Sequence, residues 1–155
     1  NGASFNTTLV ENDNAGQFIN PADYDNTAKI LYSGASTNQF FRINNITTNP
    51  TAQTAVNIAL SGGSVSAIRA NAFLANRIFI GTDNGRVFKV DNAHSNAPVA
   101  TEISGVGQIN NGYVSNIDIG ANDDELIITI SNYNRKSVYY TNNGGTNWTS
   151  KDEST

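Results

Sequence analysis

The chain has 155 residues, 38% of them hydrophobic and only 14% charged, with a formal net charge of −4. That is enough for one ordinary domain with a core of its own, under a surface that is polar without being highly charged. The nine Lys and Arg are scattered, only Arg135 and Lys136 being adjacent, and form no basic stripe, which argues against nucleic acid as a partner, and no apolar run reaches the ~18 residues of a membrane span. Cysteine is absent, so disulfides and thiolate metal sites are excluded, and methionine is absent even at position 1. The latter points to an internal or trimmed segment, with any signal peptide or anchor outside it.

Asparagine makes up about one residue in six. It suits tight turns and disfavours helix interiors, because its amide competes for nearby backbone groups. No apolar stripe runs at helical spacing for three turns, so the chain reads as all-β. In chain order, Ser4 to Val10 is expected to be a strand flanking a neighbouring blade. The first repeat follows with Phe18-Ile19-Asn20, Ala28 to Gly34, a hairpin over Ala35 to Gln39, and Phe40 to Ile43. The second has Val65 to Arg69, Arg77 to Thr82, Arg86 to Asp91 and Val99 to Ile103. Its turn Asp83-Asn84-Gly85 offers the positive-φ residues that hairpins require. The third has a strand through Val114 to Asp118, Asp124 to Ile130, a longer hairpin at Asn132 to Arg135, Val138 to Thr141, and a short last strand after Trp148.

The anchors Ile30, Ile78 and Leu126 recur at 78−30 = 48 and 126−78 = 48, and Ile19, Ile68 and Ile117 at 49 and 49. A period of about 40 to 50 residues built of short strands predicts β-propeller blades. The expected fold is therefore a segment of about three four-stranded antiparallel blades, at 16–61, 64–104 and 113–152, plus one flanking N-terminal strand. A β-sandwich with regular turns is the alternative. The apolar runs Ile78-Phe79-Ile80 and Leu126-Ile127-Ile128 are expected to be covered on both faces. Three blades do not close a ring, so either further blades of a longer chain or a second copy is expected to complete it.

Asn20, Arg69 and Asp118 fall at equivalent ends of the expected innermost strands. They form either a ligand-contacting channel rim or a solvated lining with a weak Arg–Asp pair. Tyr133, at the tip of the long third hairpin, is an exposed aromatic suited to stacking on a sugar or peptide. The lone His94 has no partner type for a zinc site. Asp123-Asp124-Glu125 and Asp83-Asn84 lack the alternating spacing of a calcium loop. No cofactor and no metal is expected. The sequons at Asn6, Asn45 and Asn147 are of a number that chance supplies in so Asn-rich a chain.

Thr141-Asn142-Asn143-Gly144-Gly145-Thr146-Asn147-Trp148 resembles the Asp-box, or BNR repeat, Ser/Thr-x-Asp-x-Gly-x-x-Trp. It matches at Thr141, Asn143, Gly145 and Trp148, with Asn where the motif has Asp. The resemblance implies a hairpin between the third and fourth strands of a blade. In it the Asx side chain bonds turn amides, Gly takes a positive φ and Trp packs over the turn. Proteins with such propellers include sialidases, xyloglucanases and sortilin-type receptors, and the box lies away from catalysis in them. A sialidase would need an arginine triad, yet among Arg42, Arg69, Arg77, Arg86 and Arg135 no three share an inner-strand place. A xyloglucanase-like enzyme would need two carboxylates about 6.5–9.5 Å apart, and most of Asp23, Asp25, Asp83, Asp118, Asp123, Asp124 and Glu125 fall in expected turns. The resulting expectation is a non-catalytic scaffold or recognition module of a secreted or surface protein, binding protein or glycan. The alternative is part of a glycoside hydrolase of the sialidase or xyloglucanase type.

Overall fold

The computed structural model describes residues 17–46, 52–105, 107–109 and 111–152. The strand expected at 4–10 lies outside them. The described residues form twelve strands and no helix. The first sheet holds β1 (Ala22–Asp25), β2 (Ile30–Gly34), β3 (Gln39–Asn44) and β4 (Ala52–Asn57). The second holds β5 (Val65–Ala70), β6 (Ile78–Thr82), β7 (Val87–Asp91) and β8 (Val99–Glu102). The third holds β9 (Val114–Ile119), β10 (Leu126–Ile130), β11 (Val138–Thr141) and β12 (Thr149–Ser150). Each sheet is an antiparallel meander in chain order. β5 packs against β1 and β2, and β9 against β5 and β6. The first strands of successive sheets therefore stand side by side, as in an arc of three propeller blades that is not closed.

Turn chemistry accounts for the asparagine content. Among the described residues, five of the seven non-glycine residues with positive φ are Asn: Asn38, Asn45, Asn76, Asn92 and Asn134. A short side chain that can bond its own backbone tolerates this region best after glycine. The first turn of each blade is pinned by an Asx side chain. Asp25 Oδ1 accepts from Thr27 N at 2.9 Å and Ala28 N at 2.8 Å, and Asn71 Oδ1 accepts from Phe73 N at 2.7 Å and Leu74 N at 3.1 Å. In the third blade Asn122 Oδ1 accepts from Asp124 N at 3.0 Å.

The positive-φ residues also correct the repeat length. Lys29 and Asn76, Asn38 and Gly85, and Asn45 and Asn92 form equivalent pairs, each with a step of 47 (76−29, 85−38, 92−45). The match of Ile30 with Ile78 is thus one residue out, and a one-residue slip moves every side chain of a strand to the opposite face. Ile30 and Tyr32 face the second blade, whereas Ile78 and Ile80 face back toward the first. The innermost strand of the first blade is likewise Ala22–Asp25, not Phe18-Ile19-Asn20. Phe18 is fully exposed and Ile19 is 68% exposed. The apolar pair imitated a strand, while the real strand, Ala-Asp-Tyr-Asp, carries carboxylates that bond to the next blade.

The core lies between blades. Ile78 and Ile80 join Ile30, Tyr32, Phe40 and Ile68 in one buried cluster, and Phe79 joins Val87, Val114, Ile117 and Leu126 in the other. All five residues of β6 are buried, so it is covered on both faces as its apolar run requires. The expectation fails for β10, where Leu126 and Ile128 are buried but Ile127 is 39% exposed, because no described blade covers its far face. The second and third blades approach so closely that a Cβ on Gly81 would overlap Val114 Cγ1. Arg42 of β3 reaches across the first interface, donating to His94 O, to Ser95 O at 2.7 Å and to Asn96 Oδ1 at 3.0 Å. Beside it, burial pushes the Tyr32 phenol well above its ordinary value; the charge of Asp25 pushes the same way and that of Arg42 opposes it.

Ile78→Ala is expected to lower unfolding free energy by about 2–5 kcal/mol. Ile127→Ala, on the same kind of strand, is expected to cost about 1 kcal/mol or less. Urea unfolding of the two variants side by side checks the difference between a strand covered on two faces and one covered on a single face.

Candidate functional site

Strand register decides which inner-strand side chains are equivalent. Asp23 lies opposite Tyr32, Arg69 opposite Phe79 and Asp118 opposite Ile127. The structure brings Arg69 and Asp118 together, with Arg69 Nη2 at 2.9 Å from Asp118 Oδ1. Asn20 is not part of this row. It precedes β1, is exposed, and lies with its Oδ1 over Gly34. Asp23 takes the place expected for it, with Oδ2 at 3.7 Å from Arg69 Nη1 and accepting from Ala70 N at 2.9 Å. Asp23, counted in the sequence among carboxylates of expected turns, lies instead in β1, whose Ala-Asp-Tyr-Asp run lacks apolar alternation. A guanidinium held between two carboxylates has little charge left for an anionic ligand. The side chains of Arg69 and Asp118 are 44% and 54% exposed, so the pair adds little stability.

A second polar network joins the first turns of the blades. Asp25 Oδ2 accepts from Asn76 N at 2.7 Å, tying blade one to blade two. Asn71 Nδ2 donates to Asp123 Oδ2 at 3.2 Å, and Arg77 Nη1 donates to the same oxygen, tying blade two to blade three. Arg77 Nε also donates to Asp91 Oδ1 at 2.6 Å. The bond to Asp91 raises the Arg77 value most; burial opposes this, and Asp123 adds to it. Desolvation pulls the Asp123 carboxyl up, but the bonds from Arg77 and Asn71 and the charge of Arg77 hold it below the ordinary value. Glu125 is also held low, first by the amide of Ala121 and then by the hydroxyl of Tyr140. Both of these carboxylates are therefore engaged in holding the fold.

The turn Thr141–Trp148 is equally local in its chemistry. Thr141 Oγ1 donates to Asn143 Oδ1 at 2.9 Å and accepts from Gly145 N at 3.1 Å, and Asn143 Oδ1 accepts from Asn147 N at 2.9 Å. Gly145 has φ +85°, and a Cβ there would overlap Ile103 O. Trp148 is buried, and its Nε1 donates to Ile103 O at 2.7 Å, so the turn fastens the third blade to the end of the second. Gly144 N donates to Asp124 O at 2.9 Å, which places this turn beside the first turn of its own blade.

At the opposite end of the meanders lies an open cleft of about 400 Å³ between blades two and three. It is lined by Asp83, Asn84 and Arg86 of the β6–β7 turn, by Asn111 to Tyr113 of the interblade linker and by Asn132 of the β10–β11 turn. A neighbouring recess shares Arg86 and Asn111 and adds Glu102 and Ser104. Tyr133, 99% exposed, follows Asn132 on the same turn. Part of the polar capacity is spent. Asp83 Oδ1 accepts from Ser64 N at 2.9 Å, Asn132 Oδ1 accepts from Tyr113 N at 2.5 Å, and Arg86 Nη1 pairs with Glu102 Oε1 at 2.9 Å. The Asn111 amide and the Tyr113 phenol make no side-chain hydrogen bond among the described residues. Sequence reasoning reached Tyr133 and the Asp83-Asn84-Gly85 turn. It missed Asn111, Tyr113 and Asn132 as a group, because only the packing of the linker against two hairpins unites them.

Asp123 yields a pH prediction. Its folded-state value is depressed, so its stabilising contribution is complete above the ordinary value of 3.8 and is lost as pH falls through the folded value. Asp123→Asn is expected to lower stability at neutral pH and to flatten the loss of stability below a pH of about 4, read by circular dichroism.

Compared with known proteins, the chain matches no protein-family model and no curated protein sequence.

Proposed function

We propose that the chain is a non-catalytic recognition module of a secreted or surface protein, built on a rigid propeller arc that binds a glycan or protein ligand. One observation carries the reading. The cleft between blades two and three offers an uncommitted amide and phenol, with a fully exposed tyrosine on one of the turns that frame it, while Asp83 of its lining accepts from a backbone amide and Glu102 of the adjoining recess pairs with Arg86. Groups of this kind orient a ligand without reacting with it. A general acid needs a carboxyl free to reach the ligand, whereas Asp83 accepts from Ser64 N and Glu102 pairs with Arg86. The resemblance of Thr141–Trp148 to an Asp-box supports the placement among extracellular propellers. The open arc calls for further blades or a second copy to cover the face that exposes Ile127.

A second reading, part of a glycoside hydrolase of the sialidase or xyloglucanase type, draws on the same Asp-box resemblance. Assaying the chain against chromogenic aryl glycosides separates the two. The expected result is no turnover above buffer at any pH between about 4 and 8, the window that carboxylate acid–base catalysis occupies. Turnover abolished by Asp83→Asn or by Asp118→Asn would establish the hydrolase instead.

A further inference from the structure

We infer that the cleft between the second and third blades is a subsite for an uncharged oligosaccharide, a reading that rests on the recognition-module function proposed above. The chemistry of the lining selects the ligand class. Sugar hydroxyls act as donors and acceptors at once, and adjacent ones present both functions side by side. A primary amide answers with an acceptor and two donors in one plane, and a phenol with one of each. The Asn111 amide and the Tyr113 phenol supply these groups with no hydrogen-bond partner among the described residues, and Asn132, whose Oδ1 is held by Tyr113 N, adds its NH₂ to the same lining. A sugar also has an apolar C–H face, which stacks on aromatic rings. Tyr133 stands fully exposed on the same turn as Asn132.

Charge argues against anionic ligands. The ionisable groups of the cleft and its adjoining recess are Asp83, Arg86 and Glu102, which sum to −1 + 1 − 1 = −1. Arg86 is already paired with Glu102. A phosphate, sulfate or sialic-acid carboxylate would meet net negative charge and a guanidinium already paired, so the ligand is not an anion, and the paired hydroxyls of a neutral sugar match the amide and phenol. Shape argues against a protein partner. A volume of about 400 Å³ lies within the roughly 300–1,000 Å³ of small-ligand sites. Standard protein interfaces bury about 800 Å² per partner around a desolvated apolar centre. Here the lining is mainly amide and charged groups, with Tyr133 the one large exposed apolar side chain on the turns that frame it.

The lining is held in place before any ligand arrives. Gly85 has φ +81°, and a Cβ there would come within 2.5 Å of Gly112 N. A Cβ on Gly112 would in turn come within 2.6 Å of Ile130 Cγ2. These two glycines let the β6–β7 turn, the linker and β10 interlock, and the Asn132–Tyr113 bond fastens the third-blade turn to the linker. Little ordering entropy is then lost on binding, which suits a weak polar ligand.

The test is isothermal titration of the full chain with cellotetraose, mannotriose, tri-N-acetylchitotriose and 3′-sialyllactose, with inorganic phosphate as an anion control. Saturable binding of at least one neutral oligosaccharide is expected, with none of sialyllactose or phosphate. Asn111→Ala and Tyr133→Ala are each expected to weaken it about tenfold, the loss of one good contact. Both residues are exposed, so melting temperatures should not move, and Arg69→Ala on the inner-strand row should bind as wild type. Neutral sugars failing to bind at millimolar concentration overturns the inference, as does a preference for the anions. Binding undiminished in both cleft variants removes the subsite but leaves the recognition module standing. Turnover of a bound oligosaccharide removes the module reading and leaves the sugar subsite.

Discussion

A strand that is apolar on both faces cannot be satisfied within one sheet, and β6 imposes that constraint on the whole molecule. Ile78 and Ile80 turn to the first blade and Phe79 to the third, so the central sheet has no wet face along this strand. Each blade serves as the cover of the next, and the hydrophobic burial of the protein sits in the seams between sheets. Close approach follows from the same demand. Gly81 lets β6 meet Val114 nearly backbone to side chain, and Ser66 Oγ donates to Val114 O at 2.6 Å across the same seam. Where no further blade is described, the pattern relaxes, and β10 is buried on one face and half open on the other.

Hydrophobic seams are non-directional, and the register of one blade on the next is set by polar contacts laid over them. The first turns form a chain of clasps: Asp25 to the Asn76 amide, then Asn71 and Arg77 to Asp123. Arg42 grips the β7–β8 loop, and Trp148 bonds Ile103 O. Each of these bonds runs between residues of different blades, so none forms until both blades are in place. Asn and Asp serve twice, shaping the turn with one oxygen and reaching the neighbour with the rest of the side chain. That double duty explains why so many turns use Asx residues where glycine alone would satisfy the backbone.

The two ends of the arc differ in what their polar groups are free to do. At the first-turn end, carboxylates and guanidinium groups are bonded to one another and to backbone amides. At the other end the β6–β7 turn, the linker and the β10–β11 turn meet around a cleft where an amide and a phenol are left over. A scaffold in which one end consumes its hydrogen-bonding capacity and the other retains some is a natural platform for recognition. The inner-strand row of Asp23, Arg69 and Asp118 belongs with the first kind, since its cation is shared between two anions.

The sequence by itself determined the class and the number of sheets. Short apolar runs, Asn- and Gly-bearing turns and a repeat near 48 residues define strands and their grouping without any long-range contact. It also located the Arg69–Asp118 pair and the exposed Tyr133, because both lie on elements whose local patterns are strong. It misread the first blade. Phe18-Ile19 carries the apolar signal of an inner strand, whereas Ala22–Asp25 earns its place through bonds to Ala70 and Asn76 that exist only when the second blade is present. Ile30 and Ile78 each open an apolar run, and matching them hid the true step of 47 and with it the face to which Tyr32 points. The cleft was invisible for the same reason: Asn111, Tyr113 and Asn132 are ordinary loop residues in sequence, brought together by two glycines that let three separate segments touch. Local backbone preference is written residue by residue, but which blade faces which, and which side chains are left unpaired, follows from packing between segments dozens of residues apart.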